Sequence, residues 1–89
     1  MKNLKDYRIQ LDTLDEEMKK LFLERMKIVK EISAFKKQNN LNIEDKNREQ
    51  EMCTRLSSDV SEEYKSYYLM FLNEVINISK SYQKNRICL

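Results

Sequence analysis

The sequence contains neither glycine nor proline. These two residues are the ones that most often interrupt helices, so nothing in the chain breaks a helix. Leucine, glutamate, lysine, methionine and glutamine are frequent, and this composition gives little support to a sheet. The composition therefore predicts an all-α protein.

Histidine is also absent. It is the side chain whose unperturbed pKa lies near neutrality, and it is the usual base that activates a serine or cysteine nucleophile. Hydrolysis by a serine and histidine pair is therefore excluded. Any chemistry must rely on arginine, lysine, carboxylates, hydroxyls and amides.

An excess of charge of one sign and a long apolar run are missing as well. The net charge is only +2, and the basic residues alternate with acids, which is typical of solvated helix faces and makes nucleic acid an unexpected partner. No apolar stretch is long enough to span a membrane, and "MKNLKDYRIQ" lacks the apolar segment of a signal peptide, so we expect a cytoplasmic protein.

The two cysteines, Cys53 and Cys88, do not form a CxxC motif, which favours reduced thiols over a disulfide or metal site.

With 89 residues the chain is expected to form one domain, 1–89, whose core is thin unless subunits associate. An apolar heptad pattern indicates one long helix over roughly residues 3–37. At about 1.5 Å per residue this helix would be about 50 Å long, more than so small a domain can cover, so we expect it to pair with a second copy. The heptad positions are Leu4, Tyr7, Leu11, Leu14, Met18, Leu21, Arg25, Ile28, Ile32 and Phe35.

Two shorter helices follow. The polar stretch "KQNNLNIEDKNRE" ends the first helix, and Asp45 with Glu49 four residues later predicts a capped second helix over about residues 45–57. The stretch "SSDVSEEYK" offers further caps, and apolar residues return at helical spacing from Tyr64, which predicts a third helix to about residue 84.

One heptad position is occupied by a charge, Arg25. Burying an unpaired charge costs several kcal/mol, on the order of the free energy that stabilises a small domain, so Arg25 needs an anionic partner from the protein or from a ligand. Lys36 lies eleven residues later, which is three turns plus about 20°, so both side chains project from one face. Arg8 lies about 26 Å before Arg25 along the axis and about 100° out of phase, so it cannot share a small ligand with the Arg25 of its own straight helix, but the Arg8 of an antiparallel copy could.

The other two predicted helices also carry polar residues on their apolar sides. Asp45, Arg48 and Glu49 are spaced i, i+3 and i+4 in the second helix. Ser79 and Gln83 are four residues apart in the third. Three such groups in one small chain predict a shared internal polar pocket.

Each of these residues also has a purely structural interpretation. Arg25 could fix the register of a helix pair, and Ser79 could bond back to its own helix. The other cations could be solvated charges, and the two acids could be a helix cap and a first-turn acid. Gln83 could be exposed near a fraying helix end.

Taken together, the residues resemble the all-helical chorismate mutases. That family has two arginines and a lysine along a long first helix, a D-x-x-R-E block opening the second, and a serine followed four residues later by glutamine or glutamate in the third. The resemblance runs through "YRIQLDTLDEEMKKLFLERMKIVKEISAFKK", "IEDKNREQEM" and "ISKSYQ". The matching positions are Arg8, Arg25, Lys36, Asp45, Arg48, Glu49, Ser79 and Gln83.

The resemblance implies an intertwined helical homodimer with two equivalent sites, which converts chorismate to prephenate at the branch toward phenylalanine and tyrosine. Arg25 and the other subunit's Arg8 would bind the two substrate carboxylates, with Arg48 and Ser79 assisting. The remaining site residues would act at the ether oxygen and the ring hydroxyl.

By the same resemblance Lys36 and Gln83 would donate hydrogen bonds to the ether oxygen of chorismate, which gains negative charge as its C–O bond breaks. Glu49 and the backbone at Asp45 would hold the ring hydroxyl. The reaction is an intramolecular pericyclic shift that needs no cofactor, no metal and no histidine, because orientation and placed charges supply the catalysis.

Two alternatives remain open from the sequence. An isochorismate pyruvate lyase would use a similar fold and a related anion. A catalytically silent helical dimer would act as a regulatory or scaffolding module, although such a module would be expected to have lost some of the pocket residues.

Overall fold

Three helices make up most of the chain, and a computed structural model describes them over residues 1–87. They are α1 (Leu4–Gln38), α2 (Lys46–Ser57) and α3 (Glu62–Ile87). No residue of that range lies in a strand. The prediction of an all-α fold with one long and two shorter helices is confirmed.

The ends of the helices lie close to the predicted ones, except at the C-terminal end of α3. That helix continues to Ile87, about three residues beyond the predicted end. No glycine or proline stops it. Lys84 and Arg86 also lie in its last turn, where positive charge complements the helix dipole.

Side-chain caps and an asparagine at positive φ set the two ends of α1. At the start, Asn3 Oδ1 accepts from the Asp6 N–H at 3.0 Å while Asp6 Oδ2 accepts from the Asn3 N–H at 3.1 Å. At the end, Asn40 adopts φ 53°, and the Leu41 N–H donates to the Lys36 carbonyl at 2.9 Å. Glycine usually occupies this left-handed position, and in a chain without glycine asparagine is the residue that tolerates it best.

The start of α2 is capped as predicted. The Asp45 carboxylate accepts from the Arg48 backbone N–H at 3.0 Å, and Glu49 lies in the first turn. Both acids complement the positive end of the helix dipole.

α3 packs against both other helices, whereas α1 and α2 do not pack on each other within residues 1–87. The buried apolar side chains are Val29 of α1 and Leu72 and Ile76 of α3. Four buried residues in the described part of the chain are polar: Ser33, Ser57, Ser79 and Gln83. The core is therefore small, and polar side chains make up much of it.

The apolar heptad stripe of α1 lies outside this core. Its nine apolar members are between 40% and 62% exposed. They are Leu4, Tyr7, Leu11, Leu14, Met18, Leu21, Ile28, Ile32 and Phe35. Arg25, the charged member of the stripe, is half-buried because it lies on the side that turns toward α3. The heptad face and the core-facing side of α1 are therefore two different faces of the helix.

The single chain is more extended than a compact monomer of its size. Its radius of gyration is 16.5 Å, against about 12 Å expected for 89 residues. Its accessible surface is 7692 Å², against about 5,600 Å² expected for a folded monomer of this mass. The chain therefore exposes about 2,100 Å² more surface than a compact monomer of its mass.

Candidate active site

A cavity of about 190 Å³, partly open to solvent, lies between the C-terminal third of α1, the start of α2 and the C-terminal half of α3. Seven of the eight predicted site residues line it. They are Arg25, Lys36, Asp45, Arg48, Glu49, Ser79 and Gln83. The eighth, Arg8, is exposed near the other end of α1. The predicted pocket is therefore present, and one chain supplies all but one of its predicted residues.

Arg25 enters the cavity from α1 and is held by α3. Its Nη1 donates to Ser79 Oγ, and this hydroxyl in turn donates to the Val75 carbonyl at 3.0 Å. Desolvation by burial lowers the pKa of the Arg25 guanidinium. Within residues 1–87 the guanidinium forms no ion pair. A desolvated cation whose protein partner is a neutral hydroxyl is well suited to bind an anion.

Lys36 lies on the same side of the cavity. Its Nζ donates to the Ile43 carbonyl at 2.7 Å, which ties α1 to the loop that precedes α2. This partner is also neutral. The α1 wall of the cavity therefore carries two cations, Arg25 and Lys36, that no acid of residues 1–87 neutralises.

The α2 wall carries the acids of the site. The Asp45 carboxylate is occupied as the cap of α2. Glu49 Oε1 accepts from Lys80 Nζ at 3.1 Å, and Glu44 Oε1 accepts from the same nitrogen at 3.3 Å. These two hydrogen bonds raise the pKa of Lys80, the one to Glu49 having the larger effect. The two walls thus differ in charge. The α1 wall carries cations whose partners are neutral, and the α2 wall carries carboxylates that already accept hydrogen bonds.

Arg48 also borders the cavity but is engaged elsewhere. Its Nη1 lies 2.6 Å from Glu51 Oε2 on the surface of α2, and its side chain is 62% exposed. Glu51 also accepts from Arg55, and this hydrogen bond is the main reason that the pKa of the Glu51 carboxyl is lowered. Arg48 would have to exchange Glu51 for a ligand in order to act in the cavity.

Gln83 and Ser79 are the two buried polar residues of the site. Gln83 is 6% exposed, so the interpretation that places it at a frayed, exposed helix end is wrong. Its Oε1 is buried and has no hydrogen-bond partner in residues 1–87. Leaving a buried amide oxygen unpaired costs about 1–3 kcal/mol, which a hydrogen-bond donor on a ligand would offset.

Lys80 is the site residue that sequence reasoning missed. It lines the cavity from α3, next to Ser79. A signal was available, because Lys80 follows buried Ile76 by four residues and precedes Gln83 by three, so it lies on the inward side of the helix. Its acidic partners lie in a different part of the chain, and no local pattern predicts them.

A second depression of the described surface has a different character. A shallower depression of about 410 Å³ lies on the outer face of α2, where all its lining residues are exposed. Between residues 1 and 87 no three acidic or cysteine side chains cluster as metal ligands, and no helix is both long and apolar enough to cross a bilayer. Cys53 carries a free thiol, and Cys88 lies outside the described residues.

Comparison with known proteins gives one match. The family model described as chorismate mutase type II matches residues 7–84. This span contains all eight predicted site residues, including Arg8. No curated protein and no solved structure matches the chain.

Proposed function

Because this chain belongs to the chorismate mutase type II family, we propose that the cavity between its helices converts chorismate to prephenate at the branch toward phenylalanine and tyrosine. Membership of the family makes the protein an isomerase that acts on chorismate. The observation that carries the proposal for the site is that seven of the eight residues predicted from the sequence, which come from all three helices, line one cavity. Their individual roles follow from the contacts that each makes.

Arg25 binds one carboxylate of the substrate in this proposal. Its guanidinium is already oriented by Ser79 and is partly desolvated, so little reorganisation accompanies binding. A bidentate arginine–carboxylate pair is among the strongest hydrogen-bonded contacts that proteins form. Arg48 assists after it leaves Glu51, an exposed pair whose loss costs little.

Lys36 and Gln83 donate to the ether oxygen. Lys36 exchanges the neutral Ile43 carbonyl for an oxygen that gains negative charge in the transition state, so its bond strengthens as the reaction proceeds. The amide nitrogen of buried Gln83 supplies a second donor. A millionfold acceleration requires about 8 kcal/mol of differential stabilisation, which a few such bonds in a shielded cavity can provide.

Glu49 and the backbone at Asp45 hold the ring hydroxyl of the substrate. Glu49 Oε1 is taken by Lys80, and Oε2 has no hydrogen-bond partner within residues 1–87. An ionised carboxylate only accepts hydrogen bonds, which suits a hydroxyl donor. This group binds the substrate at the wall opposite the cations of α1.

We further propose that two copies form an intertwined dimer and that Arg8 of one copy completes the site of the other. The exposed apolar stripe of α1 supports this arrangement. So does the surface in excess of a compact monomer, about 2,100 Å² per chain, which matches the large apolar interfaces of obligate homodimers. Arg8 lies about 26 Å from Arg25 along α1, so its own site is out of its reach. The cytoplasmic location stays a prediction.

The test is to incubate the purified protein with chorismate, follow the loss of its ultraviolet absorbance and identify prephenate as the product. A parallel incubation with isochorismate, with detection of salicylate, measures lyase activity. Consumption of chorismate alone supports the proposal. A folded protein that releases salicylate from isochorismate and leaves chorismate intact would be a lyase, and one that consumes neither would be a silent helical module.

A further inference from the structure

Two adjacent residues of α3 connect the two walls of the cavity. Ser79 accepts from Arg25 on the α1 side, and Lys80 donates to Glu49 on the α2 side. Because α1 and α2 do not pack on each other within residues 1–87, α3 is the helix that joins the cations of α1 to the acid of α2, in addition to the bond from Lys36 to the loop before α2. Glu49 is therefore placed opposite Arg25 through α3.

The ion pairs of Lys80 differ from the others in the described part of the chain. The remaining four pairs join residues three or four apart in one helix, as solvated helix faces commonly do. Lys80 instead reaches residues that are 31 and 36 positions away in sequence, Glu49 and Glu44. These pairs are the only ones in residues 1–87 that join different elements.

The surroundings of the pair point to a role in the site. The Lys80 and Glu49 side chains are only 21% and 25% exposed, whereas Glu44 is 51% exposed. Both Lys80 and Glu49 line the cavity. Without Lys80, Glu49 would present an unpaired negative charge to a substrate that carries two carboxylates.

We infer that Lys80 is a positioning residue of the proposed reaction, which holds Glu49 by one carboxylate oxygen and neutralises its charge in front of the dianionic substrate. With Oε1 engaged, Oε2 of Glu49 keeps a fixed direction toward the ring hydroxyl. This inference rests on the proposed function. It assigns Lys80 no direct contact with the reacting atoms.

The first measurement compares the steady-state kinetics of Lys80→Met and Lys80→Arg with those of the wild-type protein. We expect Lys80→Met to lower kcat/KM by about tenfold or more, mainly through a higher KM, because the unpaired Glu49 repels the substrate and loses its orientation. Lys80→Arg keeps the charge and should return to within about threefold of wild type. Lys84→Met removes an exposed lysine one turn further along the same helix and should leave the kinetics unchanged.

A double-mutant cycle with Glu49→Gln distinguishes positioning from direct contact. If Lys80 acts through Glu49, Lys80→Met should cost about threefold or less in the Glu49→Gln background, since no carboxylate is left to hold or neutralise. An equal loss in both backgrounds would mean that Lys80 acts on the substrate independently, and would overturn the inference.

Three further outcomes are decisive. A folded Lys80→Arg protein whose kcat/KM falls about tenfold or more below wild type would overturn the inference, whether or not Lys80→Met folds. An active wild type with an unaffected Lys80→Met would overturn the role of Lys80 alone. A wild type without chorismate turnover would overturn the proposed function, and this inference with it.

Discussion

Residues 4–24 and residues 25–38 belong to the same helix but have different surroundings. Every residue of 4–24 is exposed, whereas 25–38 includes buried Val29 and Ser33 and half-buried Arg25 and Lys36. The apolar heptad runs through both parts. The difference arises because α3, with 26 residues against 35 in α1, covers only one end of the long helix.

This comparison shows how one helix can contribute both to the fold of its own chain and to a contact with a second chain. The C-terminal part builds a cavity within its own chain, and the N-terminal part presents an apolar stripe and Arg8 that have no partner in residues 1–87. If the proposal is right, the N-terminal part buries its stripe against a second copy and delivers Arg8 to that copy's cavity. The predictions below test whether the two parts depend on each other in this way.

The largest effect is expected from a charge on the stripe of the N-terminal part. Leu14→Glu should abolish the dimer and much of the helix content, because burying an unpaired carboxylate costs several kcal/mol out of a total stability of about 5–15 kcal/mol. Sedimentation velocity and circular dichroism measure both losses. Thr13→Glu is the matched control, since it places the same charge one residue away and off the stripe. Equal dimer stability in the two variants would contradict the proposed interface.

The next effect is confined to the C-terminal part. Lys36→Ala should remove nearly all turnover while leaving a folded dimer, because the proposed bond from Lys36 to the ether oxygen would be strongest in the transition state. Steady-state kinetics with chorismate measure the loss, and the exposed neighbour Lys37→Ala serves as the control. The assigned role would be wrong if the variant kept more than about a tenth of wild-type kcat/KM, a loss of less than about 1.4 kcal/mol.

A third experiment joins the two parts of the helix. Arg8→Ala and Arg25→Ala homodimers should both be nearly inactive. In a heterodimer of the two, the Arg8→Ala subunit keeps its Arg25 and receives an intact Arg8 from its partner, so one site is complete and the other lacks both arginines. Random pairing makes about half of the dimers mixed, so about a quarter of all sites should recover.

This recovery is measured as chorismate turnover after co-expression or joint refolding, because intertwined helices are expected to exchange slowly. Differently tagged subunits show that heterodimers have formed. Heterodimers that remain inactive would rule out a site shared between subunits. Recovery would show that the two arginines, far apart in one chain, belong to one catalytic unit.

Local signals were enough to predict the helices and the cap at Asp45, whereas the residues that line the cavity were predicted with the help of a family resemblance. Helical spacing determines which side chains share a face, and the resemblance to a family selected the relevant ones. The contact between Lys80 and Glu49 could not be predicted, because it depends on how α3 packs against α2. The heptad predicted a partner for α1 but could not distinguish the exposed stripe from the side that packs within the chain, since the two faces of the helix adjoin at Arg25.

The smallest expected effect concerns pH, and it tests whether the C-terminal part needs any group that titrates near neutrality. The amide of Gln83 does not ionise and donates at any ordinary pH. Arg25 stays protonated despite its lowered pKa, and the pKa of Lys80 is raised above 10.5, so both remain charged from pH 6 to 8. We therefore expect kcat to be nearly constant over that range.

Gln83→Glu is the sharpest contrast, because a carboxyl donates a hydrogen bond only while protonated. The activity of this variant should therefore fall as pH rises through the pKa of the new carboxyl. Wild-type kcat that falls steeply between pH 6 and 8, in parallel with the variant, would show that a group other than Gln83 controls turnover.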